Sequence, residues 1–221
     1  MSKLKLYNMD CMELMAKYPD NHFDLAIVDP PYGGGGEKSI EGGKRFGGLF
    51  DKYKVERTWE GCSKKYNKKI LNWDYAPDQT YFDELFRISK NQIIWGGNYF
   101  QLPPNRCFLI WRKLTISESF SMAMCEYAWC FFNQNSKWIE LRPQDTKRFH
   151  LTQKPVKLYS WILNNYAKKG DKIFDTHLGS GSIAIACHDM NFDLVGCEID
   201  KEYYDNMMNR VNEHKKQLRL F

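Results

Sequence analysis

Two short stretches of this chain carry residue types that could do chemistry. The first is Asp29-Pro30-Pro31-Tyr32, which follows the apolar run Phe23–Val28. Neither proline has a backbone N–H, and each fixes its own φ near -65°. The run therefore ends in a stiff backbone with bare carbonyls, a carboxylate on one side and an aromatic ring on the other. An acceptor-only carboxylate, carbonyl oxygens and a stacking face are what is needed to hold a planar base by its amino group.

The second stretch is Asp175-Thr176-His177-Leu178-Gly179-Ser180-Gly181-Ser182, between the apolar runs Lys172–Phe174 and Ile183–Cys187. Strand, glycine loop and helix in succession let the backbone approach a ligand at the carboxyl edge of a parallel sheet. Glu198 ends the next apolar run, Phe192–Cys197, about twenty residues after the loop, and so can accept both hydroxyls of a ribose. No Gly-Lys-Ser/Thr of the triphosphate-binding type is present, and Ala184 stands where a dinucleotide loop needs its third glycine. A nucleoside without a phosphate fits this shortened loop.

The flanking pattern supplies elements to hold these stretches. Leu4–Tyr7 alternates like a strand, and Cys11–Lys17 reads as a short helix capped by Asp10. Phe23–Val28 reads as a buried central strand. An amphipathic helix is expected over Asp78–Ser89, then strands at Gln92–Trp95, Cys107–Trp111, Glu126–Phe132 (antiparallel) and Trp138–Leu141. The helix opened by Pro155 runs to Tyr166, and a last helix covers Glu202–Lys216. Alternating helices and strands predict an α/β fold with a mostly parallel sheet flanked by helices.

The chain of 221 residues suits a single domain. Eight of its fifteen glycines fall between Gly33 and Gly48, and Gly33–Pro77 holds ten Lys/Arg against six Asp/Glu, with Tyr53, Trp59 and Tyr66 interspersed. Basic residues interleaved with aromatics suit nucleic-acid contact, and the insertion at about 33–77 is expected to order on DNA. Lys137, Arg142, Lys147 and Arg148 are expected to add phosphate contacts. The seven cysteines show no CxxC pairing and the five histidines no zinc spacing, so reduced thiols and no metal are expected. The N-terminal Met-Ser-Lys-Leu-Lys-Leu has no signal-peptide apolar region and no stretch is long enough to span a bilayer, giving a cytoplasmic expectation.

Taken together, these motifs resemble those of the permuted (beta-class) amino-methyltransferases of DNA, in which the catalytic motif precedes the S-adenosylmethionine (SAM) motif. Asp29-Pro30-Pro31-Tyr32 matches the family's catalytic motif without departure. His150-Leu151-Thr152-Gln153-Lys154-Pro155 resembles its His-Pro-Thr-Gln-Lys-Pro segment, differing at Leu151. Asp175–Ser182 resembles its Asp-Pro-Phe-x-Gly-Ser-Gly-Thr loop, with Thr176, His177 and Ser182 as departures. The resemblance implies a Rossmann-like fold with circularly permuted motif order and SAM as cofactor. It implies catalytic roles for Asp29, Pro30, Pro31 and Tyr32. It places Asp10 and Cys11, Thr152, Gln153 and Lys154, Asp175, Leu178, Gly179, Ser180 and Gly181, and Glu198 and Ile199 at the cofactor, with Asp10 toward the adenine and Glu198 on the ribose. His177 reads as a packing residue. The substrate implied is duplex DNA with the target base flipped out, in a restriction-modification or phage-type setting. Family members often dimerise, which raises a homodimer as a partner. Asp at the first motif position goes mostly with adenine N6; the residues alone allow cytosine N4 as well. RNA methylation and a non-catalytic SAM-responsive module are the rival readings.

Overall fold

The computed structural model describes residues 2–32, 76–118, 123–143, 148–150 and 152–217. The chain divides into two units, Met1–Pro30 with Gln79–Phe221, and Pro31–Asp78. Residues 33–75, which hold nearly all of the glycine-rich basic insertion, lie outside the described residues, as does its expected ordering on DNA.

The first unit is built on eight strands: β1 (Leu4–Tyr7), β2 (Leu25–Val28), β3 (Gln92–Trp95), β4 (Phe108–Lys113), β5 (Cys125–Cys130), β6 (Lys137–Leu141), β7 (Lys172–Asp175) and β8 (Asp193–Cys197). They form one sheet in the order β1-β8-β7-β2-β3-β5-β4-β6. Neighbours from β1 to β3 are parallel, as are β4 and β6, while β5 runs antiparallel to both β3 and β4. The antiparallel expectation for the strand near Glu126 is observed, and Leu4–Tyr7 lies beside Leu194–Cys197.

Among the described residues, five helices cover the sheet: α1 (Cys11–Met15), α2 (Gln79–Ile88), α3 (Val156–Tyr166), α4 (Ser182–Met190) and α5 (Lys201–Lys216). Leu14 and Met15 of α1 and Tyr81, Phe82, Leu85 and Ile88 of α2 pack on one face, against Ala26, Val28, Ile94 and Phe174. On the other face α3, α4 and α5 cover Leu25, Ile27, Ile93, Trp95, Ile173 and Leu194. Because β2 is covered on both faces, all four of its residues are buried, which is why it reads as an unbroken apolar run.

Helix ends differ from expectation where local chemistry decides. Asp10 caps α1, its Oδ1 accepting from the N–H groups of Met12 (2.8 Å) and Glu13 (3.2 Å), but the helix closes at Met15. Pro155 sits at the N-cap of α3, one position before its first turn. Helix α4 runs on past Cys187 to Met190, ending where Asn191 turns left-handed at φ 61°.

The position of the site follows from the strand order. After β2 the chain moves outward to β3, whereas after β7, on the other side of β2, it moves to β8. Such a divergence leaves a crevice beyond the carboxyl ends of the two strands, the usual ligand position in an open α/β sheet. Asp29 directly follows β2 and Asp175 ends β7, so both motifs open onto that edge.

Candidate active site

Asp29 is partly buried at the end of β2, and Pro30 behind it is buried. Lys154, only 4% exposed, donates its ammonium to Asp29 Oδ2 and lies 3.3 Å from Glu126 Oε2. Glu126 Oε1 in turn meets Lys113 Nζ at 2.6 Å. Two indoles line this row: Lys154 Nζ is 5.0 Å from the Trp95 ring centre, and Lys113 Nζ is 5.4 Å from that of Trp111. Burial alone would lower the Lys154 pKa, but Asp29 and Glu126 outweigh it and hold the ammonium above its usual range. Burial would likewise raise Glu126, and Lys154 and Lys113 pull it below the usual carboxylate range. The expected cofactor residue Lys154 is thus tied to the expected catalytic carboxylate.

The glycine loop lies beyond the next strand. Gly179 and Gly181 adopt φ of 50° and 73°, and Gly181 opens α4. A Cβ on Gly181 would stand 2.5 Å from Met207 Cγ, so α5 closes directly over the loop. Glu198, nearly buried after β8, accepts from Gly179 N–H at Oε2 (2.9 Å) and from Asp200 N–H at Oε1 (3.0 Å). Asn8 Nδ2 donates to the carbonyls of Glu198 and Ile199, which staples the ends of β1 and β8 together. Burial first, then the charges of Asp10 and Glu198, push the Cys11 thiol up to about 11, so it stays protonated. Ile199 is 62% exposed, and Thr152 is exposed as well, whereas the other expected cofactor residues are buried or half-buried.

His150 reaches over the loop, within 3.5 Å of a Cβ built on Gly179, and packs 4.2 Å from the Tyr203 ring. Its Nδ1 accepts from Thr152 N–H at 3.3 Å, and its carbonyl from Gln153 N–H at 3.2 Å. The Thr152–Lys154 segment therefore bridges from the glycine loop to Asp29. Leu178 is buried, its N–H on the Cys197 carbonyl, and Ser180 is buried with its hydroxyl 3.2 Å from that of Ser182. Arg210, which the sequence did not single out, donates to the Ser180 carbonyl (2.8 Å) and Ser182 Oγ (3.0 Å).

Asp175 is buried, and its Oδ1 accepts from His177 N–H at 3.0 Å. Burial pushes its pKa up to about 8, and the carboxylates of Asp29 and Glu198 add to the rise against the His177 N–H and Lys154. Thr176 Oγ1 sits between Tyr81 OH (2.7 Å) and His177 Nδ1 (2.8 Å). Burial lowers the His177 pKa to about 4, so the ring is neutral, as a packing residue requires. Sequence reasoning also passed over Gly196: a Cβ there would lie 2.7 Å from the Asp175 carbonyl and 2.8 Å from Leu178 Cδ2.

Two of the expected phosphate contacts are engaged within the fold. Lys137 Nζ binds Asn165 Oδ1 at 3.1 Å and lies over Tyr166, and Arg148 Nε donates to the His150 carbonyl at 2.9 Å. Lys147 lies outside the described residues.

This donor set suits SAM. The carboxylates of Asp29 and Glu198 both act on Asp175, and such a gathering of acidic groups disfavours a phosphate and suits a cationic sulfonium. Glu198 offers an acceptor-only carboxylate at the tip of β8, a group type suited to ribose hydroxyls.

Residues 110–209 match the family model described as DNA methylase, that of the N6/N4 enzymes. The chain is also 33% identical over 244 residues to the Type II methyltransferase M.HpaI of Haemophilus parainfluenzae, covering 94% of this chain and 74% of that one. The chain belongs to the DNA methylase family. This DNA methylase is thereby a SAM-dependent DNA amino-methyltransferase, acting on adenine N6 or cytosine N4. Solved structures share the fold of the methylase at low identity. An M1.HpyAVI–SAM complex superposes with a TM-score of 0.55 at 18% identity, over 94% of this chain and 99% of that one. The cytosine-N4-specific PvuII DNA methyltransferase gives 0.60 at 11% identity, over 97% and 92%. The family match begins within β4 and takes in Glu126, Lys154, the glycine loop and Glu198. Among the described residues, no helix of the methylase is long and apolar enough to cross a membrane.

Proposed function

We propose that this methylase transfers the methyl group of SAM to the N6 amine of an adenine flipped out of duplex DNA. The observation that supports the reading is that Asp29 and the Asp175–Gly181 loop leave adjacent strands, β2 and β7, at one edge of the sheet. Asp10, the glycine loop and Glu198 would hold the cofactor. When bound, it supplies a methyl carbon already made electrophilic by its sulfonium.

The chain's own task lies with the nucleophile. The lone pair of an aromatic amine is delocalised into the ring. The Asp29 carboxylate and the Pro30 carbonyl accept its two N–H bonds, favouring a pyramidal nitrogen. Positive charge develops on that nitrogen as the new N–C bond forms and the carbon–sulfur bond breaks to leave a neutral thioether. These hydrogen bonds therefore strengthen toward the transition state, and the surplus proton on nitrogen is then lost to solvent. Lys154 on Oδ2 orients the carboxylate toward the amine. Tyr32 follows in the chain and supplies the ring on which the base stacks, worth about 1–3 kcal/mol. A paired base hides its amine in the duplex, so it must be extruded. The choice of adenine follows the resemblance, in which Asp at the first motif position accompanies N6 transfer.

The test is to incubate the protein and SAM with duplex DNA, single-stranded DNA and RNA, and to identify the methylated nucleoside by mass spectrometry. N6-methyladenine from duplex DNA is expected. N4-methylcytosine, or modification of RNA alone, would overturn the assignment.

A further inference from the structure

The row of charges behind Asp29 extends further than holding one carboxylate requires. Lys113 ends β4, and Glu126 is the second residue of β5, whose register pairs Glu126 with Trp111. Lys113 N–H also bonds the Met124 carbonyl at 2.9 Å, so both side chains stand on a braced antiparallel pair. Lys154 comes from the segment that leads into α3. The two oxygens of Glu126 are divided between the lysines, Oε1 to Lys113 and Oε2 to Lys154. Signs alternate along the row: Asp29, Lys154, Glu126, Lys113.

Such a row is a poor device for stability, because desolvating buried ions offsets much of their attraction. It is a good device for direction. An ammonium has three donors and rotates freely about its stem. With Asp29 as its sole anion, Lys154 could swing about the carboxylate and cover the acceptor sites that the amine needs. Glu126 draws a second donor away on a fixed bearing, and Lys113 fixes Glu126.

We propose that Glu126 is a positioning residue for methyl transfer, acting through Lys154 to fix how Asp29 presents its carboxylate to the amine. This rests on the methyl-transfer function proposed above. Among the described residues, the other ionisable groups around the row are Tyr159 of α3, whose pKa burial and then Asp29, Asp175 and Glu126 push well above its usual range, and Asp175 of β7, which senses Lys154.

Glu126→Gln tests it, with two readouts on the full-length protein. In steady-state methylation, kcat should fall by about tenfold or more while KM for DNA and the Kd for SAM stay within about threefold. Followed by NMR of the lysine Nζ, the Lys154 titration midpoint should fall by about one pH unit, because burial is then opposed by Asp29 with one anion fewer. The double variant Lys113→Met/Glu126→Gln restores charge balance and guards against a single variant that fails to fold. It should recover the melting temperature without recovering kcat. A double variant that regains full kcat along with its stability would reduce Glu126 to a structural role and overturn the proposal. So would an unmoved Lys154 midpoint, or a single variant with wild-type kcat. A wild-type protein that methylates no nucleic acid overturns the function above; in that case the Lys154 midpoint alone decides whether Glu126 is coupled to the Asp29 pair.

Discussion

Lys154 sets its ammonium on the carboxylate of Asp29 across 125 positions of sequence. The contact joins the end of β2 to the segment before α3, and so joins the residue proposed to grip the amine to the segment that borders the glycine loop. The proposed catalytic carboxylate and the proposed cofactor segment are thereby tied by a single side chain, itself buried.

That link makes the Asp29 variant informative. Asp29→Ala should abolish detectable methyl transfer, a loss of at least about 10²–10³-fold in kcat, the scale for removing one preorganised transition-state contact. SAM affinity should stay within a few-fold, because the carboxylate is proposed to meet the nucleophile rather than the cofactor. Tritiated methyl incorporation and calorimetric titration with SAM measure the two separately.

Glu198→Ala should act the other way. Its carboxylate is held by Gly179 N–H and Asp200 N–H, and it is proposed to accept from the ribose hydroxyls. Losing hydrogen bonds to a charged group should cost about 1.5–3 kcal/mol of SAM binding, roughly a 10- to 100-fold rise in Kd. An unchanged Kd would remove Glu198 from the cofactor site.

Asp175 should make both stability and cofactor binding depend on pH. Burial raises its folded pKa to about 8, above the unfolded carboxylate value of 3.8. The folded state therefore holds a proton that the unfolded state loses, and this group's contribution to stability falls as pH rises from about 4 to about 8. Asp175→Asn keeps an acceptor for His177 N–H and should match wild type near pH 4, then exceed it by on the order of a few kcal/mol at pH 8 in denaturant titrations. In wild type, a bound cation should drive the proton off. Calorimetry of SAM binding near pH 7 in buffers of different ionisation enthalpy should then report nearly one proton released.

Gly196→Ala places a methyl 2.7 Å from the Asp175 carbonyl and 2.8 Å from Leu178 Cδ2. The backbone atom cannot step aside cheaply, so the glycine loop must shift. A loss of about 1–3 kcal/mol in stability is expected, with weaker SAM binding alongside it, measured by thermal melts and titration of the same samples.

Much of this was legible because it is local. Asp10 before an apolar periodic run announces a cap, Phe23–Val28 announces a buried strand, and Gly179-Ser180-Gly181 between strand and helix announces a backbone-lined loop. Glu198 was readable because sheet geometry ties it to that loop at a fixed separation. Glu126 and Lys113 were not readable: each looks like an ordinary solvated charge, and only the return of Lys154 in three dimensions draws them into one row. Gly196 was hidden for a similar reason, since its neighbour Asp175 stands on another strand. Lys137 and Arg148 read as free cations for phosphate, yet Asn165 and the His150 carbonyl engage them.

The most direct test of the central claim is nucleoside analysis of duplex DNA after incubation with SAM and either wild-type protein or Asp29→Ala. N6-methyladenine with the wild type, and none with a variant that still binds SAM, is the predicted result. N6-methyladenine at wild-type levels from Asp29→Ala, or N4-methylcytosine as the sole product of the wild type, would contradict it.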